Sequence, residues 1–162
     1  MKHLSLLGLC LTILSAENAY LLPHRWQDAR HEINMLIRKA QTPVVIVTAS
    51  LDDPHLRRSL RKILREERPV TLITGKAETA SQWAAYKSLE ACILPSGEAL
   101  SFTLVRSGKR ACTLDTPLQT QDLRTRTGVM LCTDAETFEE TIKLLKQECR
   151  PYFSELANDS EG

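Results

Sequence analysis

The sequence predicts a mixed α/β fold, a partly parallel sheet flanked by helices within one domain. Three observations carry that prediction. Between Pro43 and Gly75 a β-branched run, a capped basic helix and a second apolar run follow one another, the strand–helix–strand order of a parallel pair. Residues 100–105 and 110–114 flank Ser107-Gly108-Lys109, a hairpin signal that belongs to antiparallel pairing. A capped helix after Thr133 supplies a further covering layer.

The size of the chain, 162 residues, suits a single core. Its 21 basic and 20 acidic side chains leave a net charge of +1, so no whole-molecule field demands a nucleic acid or an anionic membrane; electrostatic function has to be local. Residues 4–16 (LSLLGLCLTILSA) form an uncharged apolar run behind Lys2 and His3, the length of a secretory leader and short for a bilayer span. The expected organisation is a leader over residues 1–19, a domain over 20–153 and a frayed acidic tail over 154–162. A core helix and a retained membrane anchor are the alternatives for the leader. Export to the periplasm or beyond places Cys92, Cys112, Cys132 and Cys149 in an oxidising compartment. With the leader and its Cys10 removed, these four allow three pairings, with buried unpaired thiols as the competing reading. None stands in a C-x-x-C spacing, which argues against zinc, and no cofactor is implied.

Taken in order, residues 26–40 place Ile33, Leu36, Ile37 and Ala40 at helical spacing. Pro43 ends that helix, and Val44–Val47 reads as a buried strand. Asp53 is a natural N-cap with Pro54 behind it, where a missing N–H costs nothing. Leu56, Leu60, Ile63 and Leu64 form the inward stripe of the helix that follows. Pro69 stops it, and Val70–Thr74 is the second strand. A helix is expected over 77–91 with Trp83, Tyr86 and Leu89 inward, then a short strand over 92–94 and a turn at Pro95-Ser96-Gly97. After the hairpin, residues 119–127 read as a polar loop and 128–132 as a strand. Thr133-Asp134-Ala135-Glu136 is a capping box, opening a helix that faces the core with Phe138, Ile142, Leu145 and Cys149.

The element order from about Tyr20 to Phe153 resembles a single-domain member of the phospholipase D-like superfamily, a group that includes small exported bacterial nucleases. The stretch IRKAQTPVVIVTASLDDPHLRRSLRKILREERPVTLITG carries the resemblance most strongly. The hairpin stands where that family has His-x-Lys-x-x-x-x-Asp, the His being a nucleophile and the Lys a stabiliser of phosphate charge. In this sequence Ser101 occupies the place of the His and Thr103 that of the Lys, with no Asp at the required distance. His24, His31 and His55 all lie in the first third of the chain. The resemblance therefore implies the family's scaffold without its catalytic residues, and by analogy with paired family members it implies a homodimer.

Arg57, Arg58, Arg61, Lys62 and Arg65 share the outer face of the capped helix, diluted only by Glu66 and Glu67 at its end. Such a stripe suits the phosphates of a nucleic acid or another anionic ligand; a solvated face complementing the helix dipole is the competing reading. Arg106, Lys109, Arg110, Arg124 and Arg126 would extend the site if they shared its surface. Thr48, Ser50, Asp52 and His55 lie at the carboxyl end of a parallel strand, where open α/β sheets place ligands. The expectation is an exported, catalytically inactive phospholipase D-like binding or assembly module, its candidate contacts being Arg57, Arg58, Arg61, Lys62, Arg65, Ser101 and Thr103. The alternative is a phosphodiesterase with an altered site using Ser101 or His55.

Overall fold

A computed structural model describes residues 18–95 and 100–153. Residues 1–17 of the expected leader, the acidic tail and the Ser96-Gly97 part of the expected turn lie outside the described residues, while Asn18 and Ala19, the last two residues of the expected leader, open the first strand. In chain order the elements are β1 (Asn18–Leu22), α1 (Trp26–Arg38), β2 (Val44–Val47), α2 (Pro54–Arg65), β3 (Val70–Thr74), α3 (Ala77–Ser81), β4 (Leu89–Ile93), β5 (Thr103–Ser107), β6 (Arg110–Leu114), α4 (Thr120–Thr125) and β7 (Gly128–Asp134). A 3-10 turn, Ala135–Phe138, then leads into α5 (Glu139–Glu148), and β8 (Arg150–Pro151) follows.

The eight strands of the described residues form one sheet in the order β1-β7-β6-β5-β2-β3-β4-β8. The pairs β2–β3 and β3–β4 are parallel and the others antiparallel, so the expected mixed α/β class is the one observed. Every residue of β2 is buried, as a central strand covered on both faces requires. One face packs Val44, Ile46, Val70, Leu72, Val105 and Met130 beneath α1 and α2. The smaller core on the other face sets Val45, Val47, Ile73 and Leu104 against Ala135, Ile142 and the flanks of Phe138 and Leu145.

Helix α2 positions the basic residues, and its own sequence explains why it forms. Its interior consists almost wholly of strong helix formers. Leu56, Leu60, Ile63 and Leu64 are buried together with Ser59, and each apolar side chain contributes about 1.5–3 kcal/mol on burial. Ser59 donates its hydroxyl to the Asn34 side-chain oxygen, pinning α2 against α1. At the far end Glu67 adopts φ 57° and the Arg68 amide returns to the Ile63 carbonyl at 3.0 Å, closing the last turn. In the hairpin, Gly108 takes φ 59°, a conformation that glycine adopts without penalty, joining β5 to β6 in two residues.

Several expectations are corrected. The helix expected over 77–91 stops at Ser81. Beyond it the chain makes successive i→i−3 turns, with Tyr86 N to Trp83 O and Leu89 N to Tyr86 O at 3.1 and 3.0 Å. Leu89 is the first residue of β4, not a helical one, and that strand begins three residues before the expected 92. Residues expected as a polar loop contain α4, whose single buried side chain is Leu123. The cap of the last helical segment is Asp134, which accepts the Glu136 amide at 3.0 Å, rather than Thr133. The edge strands β1 and β8 were absent from the expected order.

The four cysteines of the described residues are paired. Cys112 and Cys132 stand opposite each other across β6 and β7, with Cα atoms 4.0 Å apart. Cys92 of β4 joins Cys149 at the end of α5, with Cα atoms 5.6 Å apart.

Candidate functional site

The carboxyl end of β2 opens into the loop 48–53, the place where a parallel sheet offers room for a ligand. Here the room is filled. Thr48 and Thr103 are fully buried, their hydroxyl oxygens 3.0 Å apart. The Thr48 hydroxyl also reaches the Ser50 carbonyl at 2.9 Å, and the Thr103 hydroxyl reaches the Thr116 carbonyl at 2.7 Å. Two hydroxyl protons thus serve three contacts, and neither oxygen is open to solvent. The segment 116–118 is laced to the same loop. Leu118 donates its amide to Ser50 O and accepts the amides of Asp52 and Asp53, each at 3.0 Å. Leu51 and Leu118, both buried, form a parallel bridge behind these bonds. Thr116 Oγ1 is buried without a hydrogen-bond partner among the described residues.

Thr103, expected as a ligand contact, is buried within this arrangement, while Ser101, two positions earlier, is exposed. Thr103→Val should lower the unfolding free energy by about 1–3 kcal/mol, because it leaves the Thr116 carbonyl without the hydroxyl that donates to it. Thr103→Ser should recover most of the loss, as read by denaturant titration.

Asp53 governs the start of α2. Its carboxylate is fully buried; one oxygen accepts the His55 and Leu56 amides at 3.0 and 3.1 Å. The other accepts the Thr120 hydroxyl at 2.7 Å and lies 3.8 Å from the Arg30 guanidinium. The N-terminal donors of this helix are thus answered from within. An anion reaching α2 has to use its side chains rather than its amide end.

Those side chains line an open groove of about 710 Å³ formed by Asp52, Pro54, Arg57, Arg58, Arg61, Lys62, Arg65 and Glu66. The structure brings all five expected cations of α2 to one surface. Arg57 is half-buried and 3.9 Å from Asp52. The guanidiniums of Arg57 and Arg61 lie 5.7 and 5.9 Å from the ring centre of Trp83, which is only 1% exposed. The indole steadies the two arginines from below and presents no face to a ligand. Arg58, Arg61, Lys62 and Arg65 are exposed, and no carboxylate of the described residues lies within 4.0 Å of their charged nitrogens.

The other expected cations do not join this groove. Arg106 pairs with Glu139 of α5 at 3.2 Å, Arg110 with Glu32 of α1 at 3.0 Å and Arg126 with Asp122 at 2.8 Å. Arg124 lies 4.5 Å from the Trp26 ring centre, and Arg30 approaches the same ring at 4.6 Å. Ser50 donates its hydroxyl to Asp52 at 2.5 Å, and His55 is exposed in the first turn of α2. Among the described residues no group of three His, Cys, Asp or Glu side chains is placed to hold a metal ion. None of the described helices is long and apolar enough to cross a membrane. Arg38 and Lys39, at the end of α1, border a second small groove with Lys62 that sequence reasoning missed. Their basic character was visible; that they lie beside α2 is a fact of helix packing.

No protein-family model matches the sequence, and no curated protein matches it. The fold does match solved structures. NucT from Helicobacter pylori superposes with a TM-score of 0.70 at 15% identity, over 83% of this chain and 97% of that one. Nuc from Salmonella typhimurium, a phospholipase D family member, gives 0.65 at 12% identity, over 83% and 96%. TrmBL2, an archaeal chromatin protein whose structure shows a mode of DNA binding, gives 0.56 at 10% identity, over 90% of this chain and 60% of that one. The fold that the sequence resemblance implied is the fold observed.

Proposed function

We propose that this is an exported, catalytically inactive protein of phospholipase D-like fold that serves as a binding or assembly module and holds phosphate-bearing ligands on α2. The observation that carries the reading is the contrast between its two candidate surfaces. The strand end is closed by the Thr48–Thr103–Thr116 contacts. Arg58, Arg61, Lys62 and Arg65, by comparison, stand open and without carboxylate partners among the described residues. Arginine suits this role because its planar fork matches phosphate oxygens.

Export is supported by the apolar run at residues 4–16 and by two disulfides, which persist in oxidising compartments. Pairing of two copies belongs to the same reading. Leu21 and Val129, 59% and 40% exposed, are cross-strand partners on β1 and β7, and they leave an apolar strip on the sheet. Phosphodiester hydrolysis through Ser101 or His55 is the competing activity, favoured only by the exposure of both residues. Purified protein incubated with bis-p-nitrophenyl phosphate is expected to release no nitrophenolate above the buffer rate. Turnover that disappears in Ser101→Ala or His55→Ala would overturn the reading.

A further inference from the structure

We infer that the ligand of α2 is a nucleic-acid backbone, held by its phosphates on a track that crosses from α2 onto the end of α1, with no reading of bases. This rests on the proposal that α2 binds phosphate, and adds to it the ligand class, the path and two further residues. The path lies on the outer surface of the helices, away from the closed strand-end loop.

The two helices run side by side in the same direction. Arg30 of α1 approaches Asp53 at the start of α2, Asn34 meets Ser59 midway, and Arg38 and Lys39 share a groove of about 220 Å³ with Lys62, Ile63 and Glu66. The floor of that groove is fixed by Arg68, which donates to the Arg38 and Ala40 carbonyls at 3.4 and 2.7 Å and pairs with Glu66 at 2.7 Å. Glu66 is thus neutralised by Arg68. Arg38 and Lys39 are exposed, with no carboxylate of the described residues within 4.0 Å of their charged nitrogens.

Acidic residues set the direction of the track. Asp52 stands at one end of the α2 groove and the exposed Glu67 just beyond the other, so a polyanion lying along the helix would run into like charge at both ends. A path across the helix avoids them. It leads from Arg61 and Arg65, on the side facing Trp83, over Lys62 to Arg38 and Lys39. Neighbouring helix axes are about 8–10 Å apart, a separation that spans two to three phosphates along one strand at about 3.4 Å of duplex axis each.

Chemistry separates this partner from a lipid surface. Helices that settle on membranes insert apolar side chains beside their cations. Here the leucines and the isoleucine of α2 are all buried, and Trp83 lies beneath its arginines. The large exposed hydrophobics among the described residues are Leu21, Val129, Leu144 and Phe153, none of them on α1 or α2. The same shortage of exposed aromatic rings removes base stacking, leaving phosphate contacts alone.

The test is fluorescence anisotropy of purified protein with two 20-base-pair duplexes of unrelated sequence, from about 50 to 200 mM salt, alongside co-sedimentation with phosphatidylglycerol vesicles. The expected slope of log K against log salt is about −3 to −5, with equal affinity for the two duplexes within about twofold. Arg38→Glu/Lys39→Glu should weaken binding about tenfold or more and flatten the slope by about two, with an unchanged melting temperature. Loss in Arg58→Glu/Arg61→Glu with no effect of the α1 pair would overturn the track and leave phosphate binding standing. Vesicle binding without duplex binding would overturn the nucleic-acid partner alone, and a tenfold preference between duplexes would overturn backbone-only recognition. Binding to neither probe would end this inference together with the reading beneath it.

Discussion

Asp53→Ala is expected to destabilise the protein by about 3 kcal/mol, the sum of a lost helix cap at about 1 and a lost hydrogen bond to a buried charge at about 2. The carboxylate has four neighbours that depend on it. The His55 and Leu56 amides would lose their acceptor, the Thr120 hydroxyl its partner and the Arg30 guanidinium its nearest counter-charge. Asp53→Asn keeps an oxygen for the amides and gives up the charge, so about half of the loss should return. Urea titration reads both variants, with the midpoint falling at an unchanged slope. An Asp53→Ala protein within about 0.5 kcal/mol of the parent would mean that the cap does not form in solution.

The second large effect belongs to the disulfides. Their sequence separations are 57 residues for Cys92–Cys149 and 20 for Cys112–Cys132. Loop-closure entropy then assigns about 4 kcal/mol to the first and about 3 to the second. The shorter loop lies inside the longer one, so removing both should cost less than the sum. Their local consequences differ as well. Cys112 and Cys132 sit on strands already joined by a full ladder of backbone bonds, whereas Cys149 fastens a helix whose one fully buried side chain is Ile142. Cys92→Ala/Cys149→Ala should therefore release α5 first, seen as fast amide exchange across residues 139–148 while the sheet stays protected. Free thiols at all of Cys92, Cys112, Cys132 and Cys149 in the unfolded, unreduced protein would show that neither bond exists.

Strong local signals made part of this architecture legible in the sequence. The segment from Pro43 to Gly75 was placed nearly to the residue, since a β-branched run, an Asp-Pro cap and Pro69 each dictate a local conformation. The helix expected over 77–91 shows how such reasoning goes astray. Trp83, Tyr86 and Leu89 recur every three residues, a spacing shared by helices and by the chained turns that the chain makes there. No glycine or proline marks the change. Helix α4 was missed for the opposite reason: with Leu123 its one buried residue, no apolar period exists to find. Strand β1 is defined by its pairing with β7, more than a hundred residues away, and nothing in Asn18–Leu22 itself announces that partner.

The candidate site divides in the same manner. The basic face of α2 follows from helical periodicity, so its five cations were visible together. The burial of Thr103 was not, because its acceptor, the Thr116 carbonyl, and its neighbour, Thr48, come from segments that only the folded sheet brings together.

The sheet order carries a practical consequence. Asn18 begins one border strand and Pro151 closes the opposite one, seven inter-strand gaps away, or about 33 Å at about 4.7 Å per gap. Handles attached beyond these two residues would thus emerge on far sides of the molecule, with the cationic helices roughly midway between them. A surface-tethered preparation can be built from either end without masking α2, and a pair of dyes at the two borders would report the width of an intact sheet.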